Sequence, residues 1–224
     1  MTFYAAGLSA DATGTVLEVD VSNDATVDYY LTYSDLVSGY SICVDDGTVV
    51  AYDYQSPVST GTEKQYVWDS TSGTGSASGQ TSQSDFFTVT QTSTVTGTYE
   101  TRYVVTIDIK PGSYPNSINP NEEGLLPVAI LGSATFNVET INPSTIMIGS
   151  VALATRGSAK APKLAFSYED VNGDGYVDMM VFFSVQELET AGIFDTDPVL
   201  LTLTGQLSDG TPITGTDSVR IVPP

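Results

Sequence analysis

The sequence predicts an all-β protein, two β-sandwich domains of the Ig-like, Greek-key type in tandem with one short helix. Three observations carry that expectation. Val, Tyr, Thr, Ile and Phe recur in short runs divided by clusters of Gly, Asn and Asp, the pattern of strands joined by tight turns. Hydrophobic residues make up 41% of the chain and charged ones only 15%, so Ser, Thr, Asn and Gly carry the polar surface, as in exported β-rich proteins. The length of 224 residues suits one large or two ordinary domains, and either buries a sizeable core. With no linker before the strand-like run that opens the second half, the domains are 1–103 and 104–224.

In the first half, residues 2–7, 15–21 and 27–33 are strand-like runs. Residues 40–44 and 48–54 flank Asp45-Asp46-Gly47, and an Asp-Gly pair between two alternating runs predicts a hairpin. Cys43, the single cysteine, falls in the first of these runs and is expected to be a small buried hydrophobe rather than a reactive thiol. Residues 65–70 contain the only tryptophan, Trp68, expected as a core anchor with a sugar-stacking face as the alternative. Residues 70–84 are a low-complexity run of Ser, Thr, Gly, Gln and one Ala, too polar to offset its own ordering entropy, so a mobile or glycan-covered loop is expected. No Asn-x-Ser/Thr acceptor occurs, which leaves Ser and Thr as the only places for a glycan. Strands over 85–90 and 94–100 close the first domain.

The second half opens on a strand over 104–109. Its organising stretch is Glu169-Asp170-Val171-Asn172-Gly173-Asp174-Gly175-Tyr176-Val177-Asp178, followed by the apolar run Met179-Met180-Val181-Phe182-Phe183. With Asp170 as position 1, oxygen-bearing side chains fall at positions 1, 3, 5 and 9 and a glycine at 6, the spacing of a calcium loop. Asp170, Asn172, Asp174 and Asp178 would offer side-chain oxygens and Tyr176 its backbone carbonyl, while Gly175 permits the sharp turn. The bidentate acid of an EF-hand is missing, because position 12 is Val181. The apolar run after the loop is a buried strand, so the loop is expected to join strands, as in integrin-type propeller repeats and dockerin-like modules, and to act structurally. A plain turn rich in Gly, Asn and Asp is the alternative.

Ser184-Val185-Gln186-Glu187 is a capping-box signature that starts a short helix, with Gly192 as its stop. Residues 137–140 suit a single turn. Residues 199–207 and 211–222 flank Ser208-Asp209-Gly210, a second predicted hairpin, and Pro223-Pro224 would prevent the last strand from pairing further.

Twenty-seven acids against seven bases give a formal charge of −20, divided as −11 over residues 1–103 and −9 over residues 104–224. Nucleic acid is thereby excluded as an expected partner, and divalent cations are favoured. The lack of histidine and the single cysteine remove Cys/His zinc sites, histidine-based triads and any internal disulfide. There is no run of eighteen apolar residues, so the chain is not expected to span a membrane, and no charged-then-apolar leader, so an exported form would be numbered from after a removed signal. Glu122-Glu123 and Asp195-Thr196-Asp197 are the carboxylate pairs a hydrolase could use, but adjacent acids in such loops are ordinarily solvated, and the chain is expected not to be an enzyme. Asp195 or Asp197 could instead complete a metal shell.

Two resemblances add to this. Gly7-Leu8-Ser9-Ala10-Asp11-Ala12-Thr13-Gly14-Thr15-Val16-Leu17, Ser56-Pro57-Val58, Tyr66-Val67-Trp68 and Val95-Thr96-Gly97-Thr98-Tyr99-Glu100-Thr101-Arg102-Tyr103 resemble a β-sandwich repeat of large archaeal surface proteins. Ile107-Asp108-Ile109-Lys110-Pro111-Gly112-Ser113, Pro115-Asn116-Ser117-Ile118-Asn119, Leu126-Pro127-Val128-Ala129-Ile130-Leu131, Asn142-Pro143-Ser144-Thr145-Ile146 and Glu169-Asp170-Val171-Asn172-Gly173-Asp174-Gly175 resemble a domain common in exported bacterial and archaeal proteins. The resemblance implies a secreted or cell-surface location. The expected function is a structural or adhesive subunit of a surface layer, fibre or sheath, rigidified by Ca2+ and self-associating into a homopolymer, with residues 1–6 as either an ordinary first strand or a strand donated to a neighbour. A carbohydrate-binding module, with glycans as partners and the tyrosines and Trp68 as stacking faces, is the alternative.

Overall fold

A computed structural model of the chain describes residues 1–157, 162–195 and 198–222. The protein is all-β and forms two compact units, Met1–Arg102 and Tyr103–Pro224.

The first unit contains β1 (Thr2–Ala6), β2 (Leu17–Val21), β3 (Tyr29–Leu31), the helical turn α1 (Tyr33–Leu36), β4 (Tyr40–Ser41), β5 (Val49–Tyr54), β6 (Val58–Ser59), β7 (Lys64–Thr74), β8 (Ser84–Thr88) and β9 (Thr94–Val104), whose last two residues belong to the second unit. One sheet has the order β4-β1-β9-β7-β6 and the other β3-β2-β5-β8. Leu17 and Val19 of β2 and Val50, Tyr52 and Tyr54 of β5 share one core with Phe3 of β1 and with Val95 and Tyr99 of β9, as period-two burial requires. β1 lies parallel to β9, Thr2 opposite Thr94 through Ala6 opposite Thr98, and antiparallel to β4. Of the two expectations for residues 1–6, the structure has the ordinary first strand, paired along both edges with Phe3 fully buried.

The second unit contains β10 (Ile107–Ile109), β11 (Ser117–Ile118), β12 (Leu125–Ile130), β13 (Met147–Ile148), β14 (Val151–Ala152), β15 (Thr155–Arg156), β16 (Lys163–Leu164), β17 (Phe166–Glu169), β18 (Asp178–Ser184), α2 (Val185–Thr190), β19 (Val199–Gln206) and β20 (Pro212–Ile221). One sheet runs β10-β12-β18-β17; the other runs β14-β13-β19-β20, with β11 also beside β20. Their core joins Val128 and Ile130 to Met179, Val181 and Phe183 on one side and to Leu201, Leu203, Ile213 and Val219 on the other. The expected buried strand is β18, held between β12 and β17. The Ser208-Asp209-Gly210 hairpin forms as β19 and β20, with eight residue pairs in register.

Several expectations are corrected. Residues 40–54 are not a hairpin: β4 pairs with β1 and β5 with β2 and β8, so Asp45-Asp46-Gly47 turns the chain from one sheet to the other. Cys43 is exposed, because Ile42 takes the inward position beside it. Residues 70–84 are largely ordered. β7 continues to Thr74, Gly75–Ala77 is a 3-10 turn and Ala77 is fully buried. There Ser76 Oγ accepts N–H groups from Thr90 and Gln91, so the hydroxyl-rich composition satisfies a turn.

The helical content is two short helices, not one. α2 starts at Ser184, whose Oγ accepts the Glu187 N–H at 3.3 Å; among the described residues Glu187 does not complete the box, and Gly192 stops the helix with positive φ. Residues 137–140 give a 3-10 turn at Val138–Thr140. The unforeseen α1 is opened by Thr32, whose N–H donates to Asp35 Oδ2 at 2.8 Å. That bond and one from the Thr32 hydroxyl hold the Asp35 carboxyl below its usual range. Pro223 and Pro224 lie outside the described residues.

Candidate metal centre

The loop 170–177 closes the β17–β18 hairpin, in which Glu169 is opposite Asp178. Its acidic side chains fold the loop before anything else can be asked of them. Asp170 Oδ1 accepts the Gly173 N–H at 2.7 Å and Oδ2 the Gly175 N–H at 3.0 Å. Asn172 Oδ1 accepts from Asp174 N at 3.0 Å, Asp174 Oδ1 from Tyr176 N at 2.9 Å, and Asn172 Nδ2 donates to Asp174 Oδ2 at 2.9 Å. Each side chain thus bonds to the backbone two to five residues ahead, the tendency that makes Asx residues turn formers. Gly173 and Gly175 sit at φ of 77° and 90°, where a Cβ would be strained.

Asp178 differs from the rest. It begins β18, is 0% exposed, and its oxygens accept the Val171 N–H and the Gly132 N–H, both at 2.8 Å. One carboxylate thereby ties the loop to its own hairpin and to the turn after β12. Gly132 was not legible as part of this arrangement. A Cβ on it would stand 2.2 Å from the Val177 carbonyl oxygen, so the approach of the two loops requires glycine.

In kind, the donors fit calcium: they are all oxygens, and a carboxylate oxygen that accepts one N–H keeps a second lone pair. In arrangement, Asp170, Asn172, Asp174 and Tyr176 are exposed along one loop while Asp178 lies beneath it. Among the described residues no three acidic side chains converge on one point.

The other ionisable and hydroxyl groups that reach inward also hold backbone. Tyr54 OH donates to the carbonyls of Tyr4 and Val95 at 2.8 and 3.2 Å, and Tyr99 OH to those of Gln55 and Val16 at 2.9 and 3.2 Å. Burial pushes both phenols far above the usual tyrosine range, and burial together with the charge of Asp85 lifts Tyr52 to about 12. At the surface, Asp11 accepts from Tyr66 OH at 2.6 Å and from Lys64 Nζ at 2.9 Å, and the Tyr66 bond does most to hold the Asp11 carboxyl below its usual value.

Trp68 is half-buried against the first core and its Nε1 donates to Thr71 Oγ1 at 3.0 Å, the expected anchor. Glu122 and Glu123 are exposed; Asp195 is exposed, and Asp197 lies outside the described residues. Among the described residues no helix is long and apolar enough to cross a membrane.

No protein-family model matches the chain, and no curated protein matches it. Among solved structures it is similar to BcpA, the major pilin subunit of Bacillus cereus, with 15% identity over 100% of this chain and 68% of that one and a TM-score of 0.29. For a single-substitution variant of the same pilin the values are 14%, 99%, 68% and 0.30. A likeness this slight carries no argument.

Proposed function

We propose that the chain is a non-enzymatic extracellular module with a mechanical or adhesive task, a subunit of a cell-surface layer, fibre or sheath that associates with copies of itself. The observation that carries this reading is what the interior polar groups do. The Tyr54, Tyr99 and Asp178 side chains each hold the backbone of residues 41 to 83 positions away in sequence. Asp217 Oδ2 holds the Ile109 N–H from 108 positions away. The Tyr54, Tyr99 and Asp217 bonds run from one sheet of a unit to the other and resist separation of the sheets, while Asp178 fastens neighbouring strands of one sheet, and resistance to separation is what a load-carrying module needs. The low charged fraction and the excess of acids support an exported location.

Calcium is the proposed stiffener of the β17–β18 hairpin. Asp170, Asn172, Asp174 and the Tyr176 carbonyl would hold it, with Asp178 anchoring the loop from below. The cation supplies charge neutralisation there, and the affinity belongs with extracellular modules, about 0.1–1 mM. A ligand bound only by the folded state stabilises it by mass action. The melting temperature is therefore expected to fall when excess chelator replaces millimolar calcium, and to fall less in an Asp170→Asn, Asp174→Asn variant. Superimposable melting curves with chelator and with calcium would remove calcium from the reading.

A further inference from the structure

The second unit has a cleft of ≈ 640 Å³ away from the 170–177 loop, lined by Asp108 of β10, by Ser113 and Asn116 of the segment that follows, and by Asp217 of β20, with the exposed Arg220 also on its wall. Asn116 is 8% exposed. Two acceptors fix which way its amide faces, because Nδ2 donates to Asp217 Oδ2 at 3.0 Å and to the Ser218 carbonyl at 3.2 Å. Turned over, the amide would press its oxygen against a carboxylate and a carbonyl. Oδ1 is therefore the end left over, and it is buried with no hydrogen-bond partner. Buried acceptors without a partner are rare and unfavourable, so Oδ1 calls for a water or an ion to satisfy it.

The surroundings say what kind of group that is. Asp217 Oδ2 also accepts the Ile109 N–H at 2.9 Å and Oδ1 the Ser218 N–H at 2.7 Å, so this carboxylate is fixed in place. Among the described residues Asp108 makes no side-chain hydrogen bond or ion pair that would neutralise it. Lys110, the base nearest to it in sequence, gives its ammonium to the Ser117 carbonyl. A carboxylate without an ion-pair partner among the described residues, a second one held rigid and an amide oxygen without a donor are hard oxygen ligands, and the two acids outnumber the one base, Arg220, on the cleft wall. Calcium accepts such a mixed and irregular oxygen set, whereas magnesium demands a compact octahedron.

We propose that this cleft binds a calcium ion through Asn116 Oδ1 and the Asp108 carboxylate, water completing the shell, with Asp217 positioning Asn116. This ion is separate from the one proposed for the 170–177 loop and does not depend on it.

The test is a calcium titration of the full chain, followed by the side-chain amide resonances of Asn116 in 15N-correlated NMR spectra. These resonances are expected to shift saturably with a midpoint of about 1 mM, the range of extracellular modules. In Asp108→Asn the midpoint rises about tenfold or more, since ligand charge sets affinity. The Asp170→Asn, Asp174→Asn variant keeps the Asn116 shift unchanged, so failure of the loop reading and failure of this one are told apart. Resonances that stay still in the wild type mean that water alone satisfies Oδ1, and the proposal falls. An equal shift with sodium at matched ionic strength means charge screening, and it falls as well. The wild-type titration decides the matter even if Asp108→Asn does not fold.

Discussion

A single carboxylate, Asp178, ties the candidate loop both to its own hairpin and to the turn after β12. It is buried and bonded at both oxygens, and backbone N–H groups are the donors. Asparagine has nearly the same shape but only one acceptor oxygen, so Asp178→Asn must turn an NH2 group toward either Val171 N or Gly132 N. Each buried N–H left unpaired costs roughly 1–3 kcal/mol, and the donor-to-donor contact adds to that. Urea unfolding is expected to show a loss of that order, with faster amide exchange at Val171 and Gly132. Gly132→Ala should give a comparable loss by a different route, since the new methyl would stand 2.2 Å from a backbone oxygen that has little room to retreat. Unchanged stability in both variants would mean that the loop is not fastened through this point.

At the scale of elements, the two sheets of the first unit are linked by phenols. β5 supplies Tyr52 and Tyr54 and β9 supplies Tyr99; the hydroxyls of Tyr54 and Tyr99 must stay protonated to donate to carbonyls on other strands. An acid whose folded pKa is raised contributes stability that is complete below its unfolded value, about 10 for tyrosine, and is lost as pH climbs toward the folded value. That value is about 12 for Tyr52 and higher still for the other two. The melting temperature is expected to hold up to about pH 10 and then decline, with these phenols ionising in step with loss of the β circular-dichroism signal. Full phenolate absorbance with the fold intact would contradict the arrangement.

The same elements explain what could be read beforehand. β18 and the β19–β20 hairpin were legible because an unbroken apolar run and an Asp-Gly turn are local signals. The turn at Asp45-Asp46-Gly47 carried the same local signal, but the pairing partners of β4 and β5 lie elsewhere in the chain, and nothing within the turn reports that. Polarity misled over residues 70–84, where one buried alanine and a few hydroxyl-to-backbone bonds suffice for order. In the loop, the spacing of Asp170, Asn172 and Asp174 was plain from sequence. The burial of Asp178 and the cleft around Asn116 were not, because Gly132 and Asp217 reach them from 46 and about 100 residues away.

For the whole molecule, the governing quantity is charge. Copies that each carry −20 repel one another, and at about 0.01 M salt the repulsion extends over a Debye length of about 30 Å. Association of the chain with itself therefore needs screening or bridging, and these differ in what they demand. Screening depends on ionic strength alone and is advanced at about 0.1 M, where the Debye length is about 10 Å. Bridging or stiffening by a divalent ion depends on the ion itself. Electron microscopy and light scattering of the purified chain are expected to show monomers in low salt with chelator, and filaments or sheets in millimolar calcium. Sodium chloride at matched ionic strength is expected to give little assembly. Equal assembly in the two salts would assign the effect to screening and take calcium out of polymerisation, and monomers in every condition would overturn the subunit reading itself. With seven bases against twenty-seven acids, the chain has little cationic surface to offer a second copy, so the contacts between copies are expected to run through paired strand edges and shared cations.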